Sequence, residues 1–153
     1  NPSIYMIKDE KKHVLNILKN TKVLVFNKEE AEMLVGNFPV EVMLKKLREK
    51  GPEIVAITDG RNGCSVLDGL TICHIRPSKL KVVETTGAGD AFASSFLTGI
   101  IKGNSIEFSL KLGLVNAESV ITHIGAKEKL LSFRKASSMM KKKSYKITKR
   151  NMK

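Results

Sequence analysis

Tryptophan is absent from this 153-residue chain, and aromatic residues make up only 5% of it. Cysteine is nearly as scarce. Cys64 and Cys73 fit no zinc-ligand spacing, and no histidine stands at a useful offset. They read as small core residues in a reducing, cytoplasmic setting, which excludes a disulfide-stapled secreted domain. No apolar run approaches the ~18 residues of a membrane span. The opening Asn1-Pro2-Ser3 has neither a basic-then-apolar leader pattern nor an initiator Met, so the chain is expected to be a piece of something longer. Acidic residues are missing altogether beyond position 128. Ten of the 27 basic residues and none of the 15 acidic ones fall in 129–153, leaving 17 against 15 in the remainder. The body is therefore nearly neutral and the end is cationic. Residues 141–153 are expected to be a flexible basic tail. The sharper alternative is a nucleic-acid-binding module carried by 129–153. Beyond residue 140 the only aromatic is Tyr145, a poor platform for base stacking, so nucleic acid is not expected as the main partner.

An apolar content of 42% is ample for a core and too high for a disordered chain. Short β-rich runs alternate with helical stretches. Residues 8–20 carry apolar residues at helical spacing. Lys22–Phe26 and Glu53–Thr58 read as buried strands, Cys64–Leu67 and Leu70–Ile75 as a hairpin around Asp68-Gly69, and Lys81–Val83 as a last short strand. Helices are expected over 28–34, opened by Asn27, and over 39–50, 88–102, 105–123 and 127–141. No internal repeat is found. The order predicts an α/β fold with helices on both faces of the sheet.

The segment Val83-Glu84-Thr85-Thr86-Gly87-Ala88-Gly89-Asp90-Ala91-Phe92 concentrates the chemistry. A Gly-rich loop runs into a long helix, whose first amides lack internal partners and form an anion site together with the helix dipole. Gly87 and Gly89 let a phosphate approach the backbone. An acid beside such a site, Asp90, repels a bound phosphate but suits a base that takes a proton from an attacking hydroxyl. The plainer alternative is an acid favourably placed in a first helical turn.

The stretch ETTGAGDAF resembles the C-terminal signature of the PfkB/ribokinase family of sugar and nucleoside kinases, DTTGAGDAF, with one change. Three more segments follow the family's order. Asn27-Lys28-Glu29-Glu30-Ala31 resembles its N-x-x-E motif. Thr58-Asp59-Gly60-Arg61-Asn62-Gly63 resembles its T-x-G-x-x-G turn. Asn116-Ala117 through Gly125-Ala126 resembles the helix and loop that close over adenine, and Asn1-Pro2-Ser3 is similar to the family's N-P-x segment. The resemblance covers about residues 1–140 and implies part of a three-layer αβα ribokinase-like fold, lacking the N-terminal strands and the lid.

That resemblance also implies roles. Asp90 would be the catalytic base, and the backbone of Gly87, Ala88 and Gly89 the anion hole. Asn27 and Glu30 would organise magnesium and the phosphates of ATP, Glu30 through water. Thr58, Gly60 and Gly63 would pass beside the nucleotide, and Asn116 would lie near adenine. Read without the family, Asn27 and Glu30 are equally a helix cap with its first-turn acid, 58–63 a hairpin entry turn, and Asn116 a packing residue. Glu84 replaces the family's Asp at a position that helps bind a monovalent cation, often potassium. The extra methylene moves the carboxylate by about 1.5 Å, which unsettles that site.

The activity implied is transfer of the γ-phosphoryl of ATP to a hydroxymethyl group of a sugar or nucleoside. The chain alone is expected to bind ATP weakly and not to turn over, because phosphoryl transfer depends on positioning and water exclusion. The resemblance also implies a homodimer for the full-length protein, and no membrane partner is expected. A non-catalytic nucleotide-binding relative is the remaining alternative.

Overall fold

The structure, a computed structural model, describes residues 4–125 and 129–152. Its elements are α1 (Ile4–Asp9), α2 (Lys11–Leu18), β1 (Val23–Asn27), α3 (Lys28–Val35), α4 (Val40–Arg48), β2 (Ile54–Thr58), a 3-10 turn (Gly60–Asn62), β3 (Cys64–Asp68), β4 (Thr71–Ile75), α5 (Ala88–Ile101), α6 (Ile106–Val120), α7 (Phe133–Lys142) and β5 (Ile147–Asn151). Two compact bodies result. One holds the chain up to His74 together with the stretch from Thr148 on, and the other holds Ile75–Ile147.

In the first body the strands form one mixed sheet in the order β1-β2-β3-β4-β5. Strands β1 and β2 are parallel, with α3 and α4 as the crossover, and Asn27 stands beside Thr58 at the last register position. β3 then returns antiparallel to β2. Both parallel strands are buried almost throughout, which explains why they read as continuous apolar runs rather than as alternation. Their core includes Val14, Leu18, Phe26, Leu34, Met43, Leu47, Val55 and Leu67.

In the second body α5 and α6 lie in close contact. A Cβ built on Gly99 would stand 2.4 Å from Ser109 Oγ, and one on Gly113 3.0 Å from the Phe92 ring. Helix α7 packs Ala136 and Met140 into a cluster with Leu112 and Val115.

Three expectations need correction. Lys81–Val83 is not a strand. Its exposed valines have no ladder partner, and the segment is held instead by the amides of Val83 and Glu84, which donate to the Ile121 carbonyl at 2.8 and 3.3 Å. The third helix of the second half starts at Phe133, where the Ser132 hydroxyl caps it, rather than at 127. Nor are residues 141–153 a featureless tail, since α7 runs to Lys142 and Ile147–Asn151 form β5 at the sheet edge. The Met152 amide donates to the Leu70 carbonyl at 2.8 Å, holding the chain beyond that strand. Residues 1–3 and Ala126, which enter two of the family resemblances, lie outside the described residues.

Candidate active site

The first body places one group of the expected residues together. Asn27 ends β1 and caps α3. Its Oδ1 accepts from the Glu30 amide at 2.8 Å, while Glu30 Oε2 accepts from the Asn27 amide at 2.9 Å. This is a complete capping box, so the plain reading of the pair is realised in full. It leaves Glu30 buried at the carboxyl end of β1. Thr58 ends β2 beside Asn27, and its hydroxyl donates to the Phe26 carbonyl at 3.4 Å. The chain then turns through Gly60–Asn62. The Asp59 amide donates to the Gly63 carbonyl at 2.8 Å, and the Gly63 amide to the Gly60 carbonyl at 3.1 Å. Gly60 and Gly63 take φ of 45° and 95°, in the region that favours glycine. A Cβ on Gly60 would meet nothing within 4 Å, so the turn presents open backbone. Asn27, Glu30, Thr58, Gly60 and Gly63 thus share the carboxyl edge of the parallel pair, where open α/β sheets bind ligands. Lys28 also reaches this edge, with Nζ 3.7 Å from Asp59 Oδ2. Nothing in the spacing of the motifs singled that lysine out.

The second body holds the Gly-rich loop. Gly87, with φ of 81°, stands as the N-cap of α5. The Ala91 amide donates to the Gly87 carbonyl at 2.9 Å and closes the first turn. Among the described residues no acceptor meets the amides of Gly87, Gly89 or Asp90. Ala88 differs from the expectation, because its amide donates to the Thr85 carbonyl at 3.2 Å. The turn that delivers the loop to the helix consumes that donor, so the free donors are those of 87, 89 and 90. A Cβ on Gly89 would also meet nothing within 4 Å. The Asp90 side chain is exposed and accepts no hydrogen bond from a described residue. One unpartnered carboxylate and three unpartnered amides therefore occupy a single helical turn.

Glu84 braces the loop. Its Oε2 accepts the Gly125 amide at 2.8 Å. The Gly125 amide and the Thr86 hydroxyl hold its carboxyl below the usual carboxylate range, against a smaller upward push from burial. Gly125 and Thr86 carried no such role in the sequence reading.

Asn116 is buried, and its side chain is engaged on both sides. Nδ2 donates to Ser95 Oγ at 2.7 Å and to the Leu131 carbonyl at 3.2 Å, while Oδ1 accepts the Leu131 amide at 2.9 Å. It clamps the chain before α7 onto α6. It also lines a cleft of about 260 Å³ with Ser94, Ser95, Thr98, Leu130 and Phe133. Val115 and Val120 are core residues.

A buried centre that the sequence reading missed lies further along α6. Glu118, 2% exposed, accepts from the Ser78 amide at 2.6 Å, Lys143 Nζ at 2.5 Å and the Tyr145 hydroxyl at 2.6 Å. Burial pushes the Glu118 carboxyl up, but these bonds and the Lys143 charge outweigh it and hold the carboxyl below the usual range. Burial and the same carboxylate push the Tyr145 hydroxyl well up. The signal available in the sequence was an acid three residues after Val115, on the apolar phase of the helix.

Among the described residues no three side chains of the metal-ligating types gather, and no helix is long and apolar enough to cross a membrane.

The family model of pfkB family carbohydrate kinases matches residues 2–132. The chain belongs to this family. A protein of Archaeoglobus fulgidus described as an uncharacterized sugar kinase is 41% identical over 114 residues, which are 74% of this chain and 45% of that protein. The crystal structure of a ribokinase from Thermotoga maritima superposes with a TM-score of 0.75 at 26% identity, covering 83% of this chain and 44% of that one. An adenosine kinase from Sinorhizobium meliloti gives 0.78 at 27% identity, covering 90% and 42%. The fold is therefore ribokinase-like, and the chain spans less than half the length of the curated relatives it matches.

Proposed function

We propose that this chain carries the base and the nucleotide-side residues of an ATP-dependent kinase that phosphorylates a hydroxymethyl group of a sugar or nucleoside. The observation that carries this reading is the first turn of α5, where the exposed Asp90 carboxylate stands beside the free amides of Gly87, Gly89 and Asp90. Amides at a helix N-terminus favour the charge of a transferred phosphoryl group, and a carboxylate beside them can accept the proton of an acceptor hydroxyl. The named relatives are sugar and nucleoside kinases, in keeping with that class of acceptor.

Asn27, Glu30, Thr58, Gly60 and Gly63 are the residues for the nucleotide side. Magnesium would be held mainly by phosphates and water, with Glu30 touching its water shell. When bound, that ion would neutralise phosphate charge. Asn27 and Glu30 would serve it while keeping the capping box intact. Glu84 enters the proposal as a clasp between its loop and Gly125. Asn116 enters as a structural clamp of Leu131 rather than an adenine contact.

The test is Asp90→Asn in the complete reading frame that carries this sequence, assayed for ADP formation over a panel of sugars and nucleosides. With general-base catalysis worth about 10²–10⁴ in rate, kcat should fall by that factor, with KM for ATP and the unfolding temperature unchanged. An unaltered kcat would remove Asp90 from the chemistry.

A further inference from the structure

The basic end contains a ten-residue helix, expected over 127–141 and found at Phe133–Lys142, with its exposed charge on one side. On α7 the exposed residues include Arg134, Lys135, Ser138, Lys141 and Lys142. Positions 134 and 141, and likewise 135 and 142, are seven apart, so the four cations form two adjacent rows about 10 Å long on one helix face. No acidic residue occurs anywhere in 129–153 to neutralise them. None of the four pairs with an acidic group among the described residues.

The opposite face is spent. Ala136 and Met140 are buried against Leu112 and Val115, with Phe133 and Met139 beside them. This disposes of two occupants. An amphipathic helix that lies in a membrane surface needs a free apolar face, and that face of α7 is inside the protein. A protein partner of ordinary affinity needs apolar or aromatic anchors at the centre of the contact, and the exposed face offers only Arg, Lys and Ser. A regular polyanion needs neither, since release of its condensed counterions drives binding to cations alone. Of the aromatics on this stretch, Phe133 packs against the inner cluster and Tyr145 has its hydroxyl committed to Glu118, and Lys143 is committed to the same carboxylate. Stacking on unpaired bases is therefore not part of the contact.

We propose that the outer face of α7 is a docking surface for the phosphate backbone of duplex nucleic acid, independent of base sequence. Four phosphate contacts imply a log–log salt slope of about −3.6 and a loss of affinity of about 10²-fold between 50 and 200 mM salt.

The test measures fluorescence anisotropy of a labelled 24-base-pair DNA duplex of mixed sequence titrated with the whole chain. Vesicles containing phosphatidylserine and a poly-glutamate peptide are titrated in parallel. The expected result is duplex binding with that slope, indifferent to sequence and stronger than to either other polyanion. Arg134→Glu with Lys142→Glu should weaken it at least tenfold and flatten the slope. Lys12→Glu with Lys19→Glu, an equal charge change at exposed sites in the other body, should leave it within about threefold. All four substitutions are exposed, and a circular dichroism melt checks that each variant folds. No duplex binding at 50 mM salt, equal or tighter binding to vesicles or poly-glutamate, or an equal loss in both charge variants would each overturn the proposal. Because no kinase readout enters, failure here leaves the role of Asp90 untouched.

Discussion

Glu118 is the place where one atom change should cost most. Its Oε2 accepts from both Lys143 and Tyr145, and Oε1 accepts from the Ser78 amide. Glu118→Gln keeps the shape but offers only one acceptor oxygen. Whichever way the new amide turns, either its NH2 faces the Lys143 ammonium and the Tyr145 hydroxyl, or it faces the Ser78 amide. Breaking a buried charged pair costs about 3–5 kcal/mol. Lys143 is 30% exposed, so water recovers part of its solvation and the low end applies. A loss of about 3 kcal/mol corresponds to about 6–12 °C in unfolding temperature for a chain of this length. Tyr145→Phe removes one donor to a charged acceptor and should cost about 1.5 kcal/mol or slightly more. Calorimetry of the wild type and both variants gives the two shifts and their order. A Glu118→Gln protein within about 0.5 kcal/mol of wild type would show that the carboxylate is not held as described. So would a Tyr145→Phe variant that loses more than Glu118→Gln does.

Two further outcomes follow from the same body. The Glu118 carboxyl lies below the usual carboxylate range in the fold, so the stability it supplies is complete above that range and lost as pH falls through its depressed value. The difference in unfolding free energy between wild type and Glu118→Gln should therefore shrink from pH 6 toward pH 3, and a difference flat across that window would refute the linkage. Gly99→Ala should destabilise by about 1–3 kcal/mol through overpacking, because the new methyl would lie 2.4 Å from Ser109 Oγ and 2.9 Å from its Cα. Chemical denaturation at neutral pH measures it, and an unchanged midpoint would mean that α5 and α6 are not so close.

Much of the fold was legible because its signals are local. The apolar runs at 22–26 and 53–58 could hardly be anything but buried strands. Asn27 announced the cap that opens α3, and Asp68-Gly69 announced the hairpin. Lys81–Val83 misled because two adjacent valines look like a strand whether or not a ladder partner exists, and a partner is a tertiary fact. The basic end misled for the opposite reason. Beyond the expected helix, its net charge gave no sign of order, because the anchor that holds Lys143 and Tyr145 is a glutamate 25 and 27 residues earlier. In the candidate site, residue types in a fixed spacing located Asp90 and its glycines. Sequence could not show that Ala88 spends its amide on Thr85, or that Asn116 spends its side chain on Ser95 and Leu131.

Two glycines of α5 let packing and ligand chemistry be separated. Both sit at helical, negative-φ positions, so neither is required by backbone conformation. Gly99 faces Ser109 at contact distance, whereas a Cβ on Gly89 meets no protein atom within 4 Å. Under the proposed function, the open space at Gly89 is where the phosphoryl group approaches the turn. Gly89→Ala should leave stability unchanged or raise it by up to about 1 kcal/mol, since alanine is the better helix former. The methyl would stand where an approaching phosphate oxygen must come to reach the Gly89 and Asp90 amides. Turnover in the complete reading frame should therefore fall at least tenfold while the unfolding transition holds or rises. Losing one donor of a charge-stabilising hole costs about 10²–10³ in rate, so partial displacement at this level is a conservative expectation. Full activity in a Gly89→Ala enzyme would mean that no anion approaches this turn closely, and the open space before Asp90 would then have to be explained without a phosphoryl group.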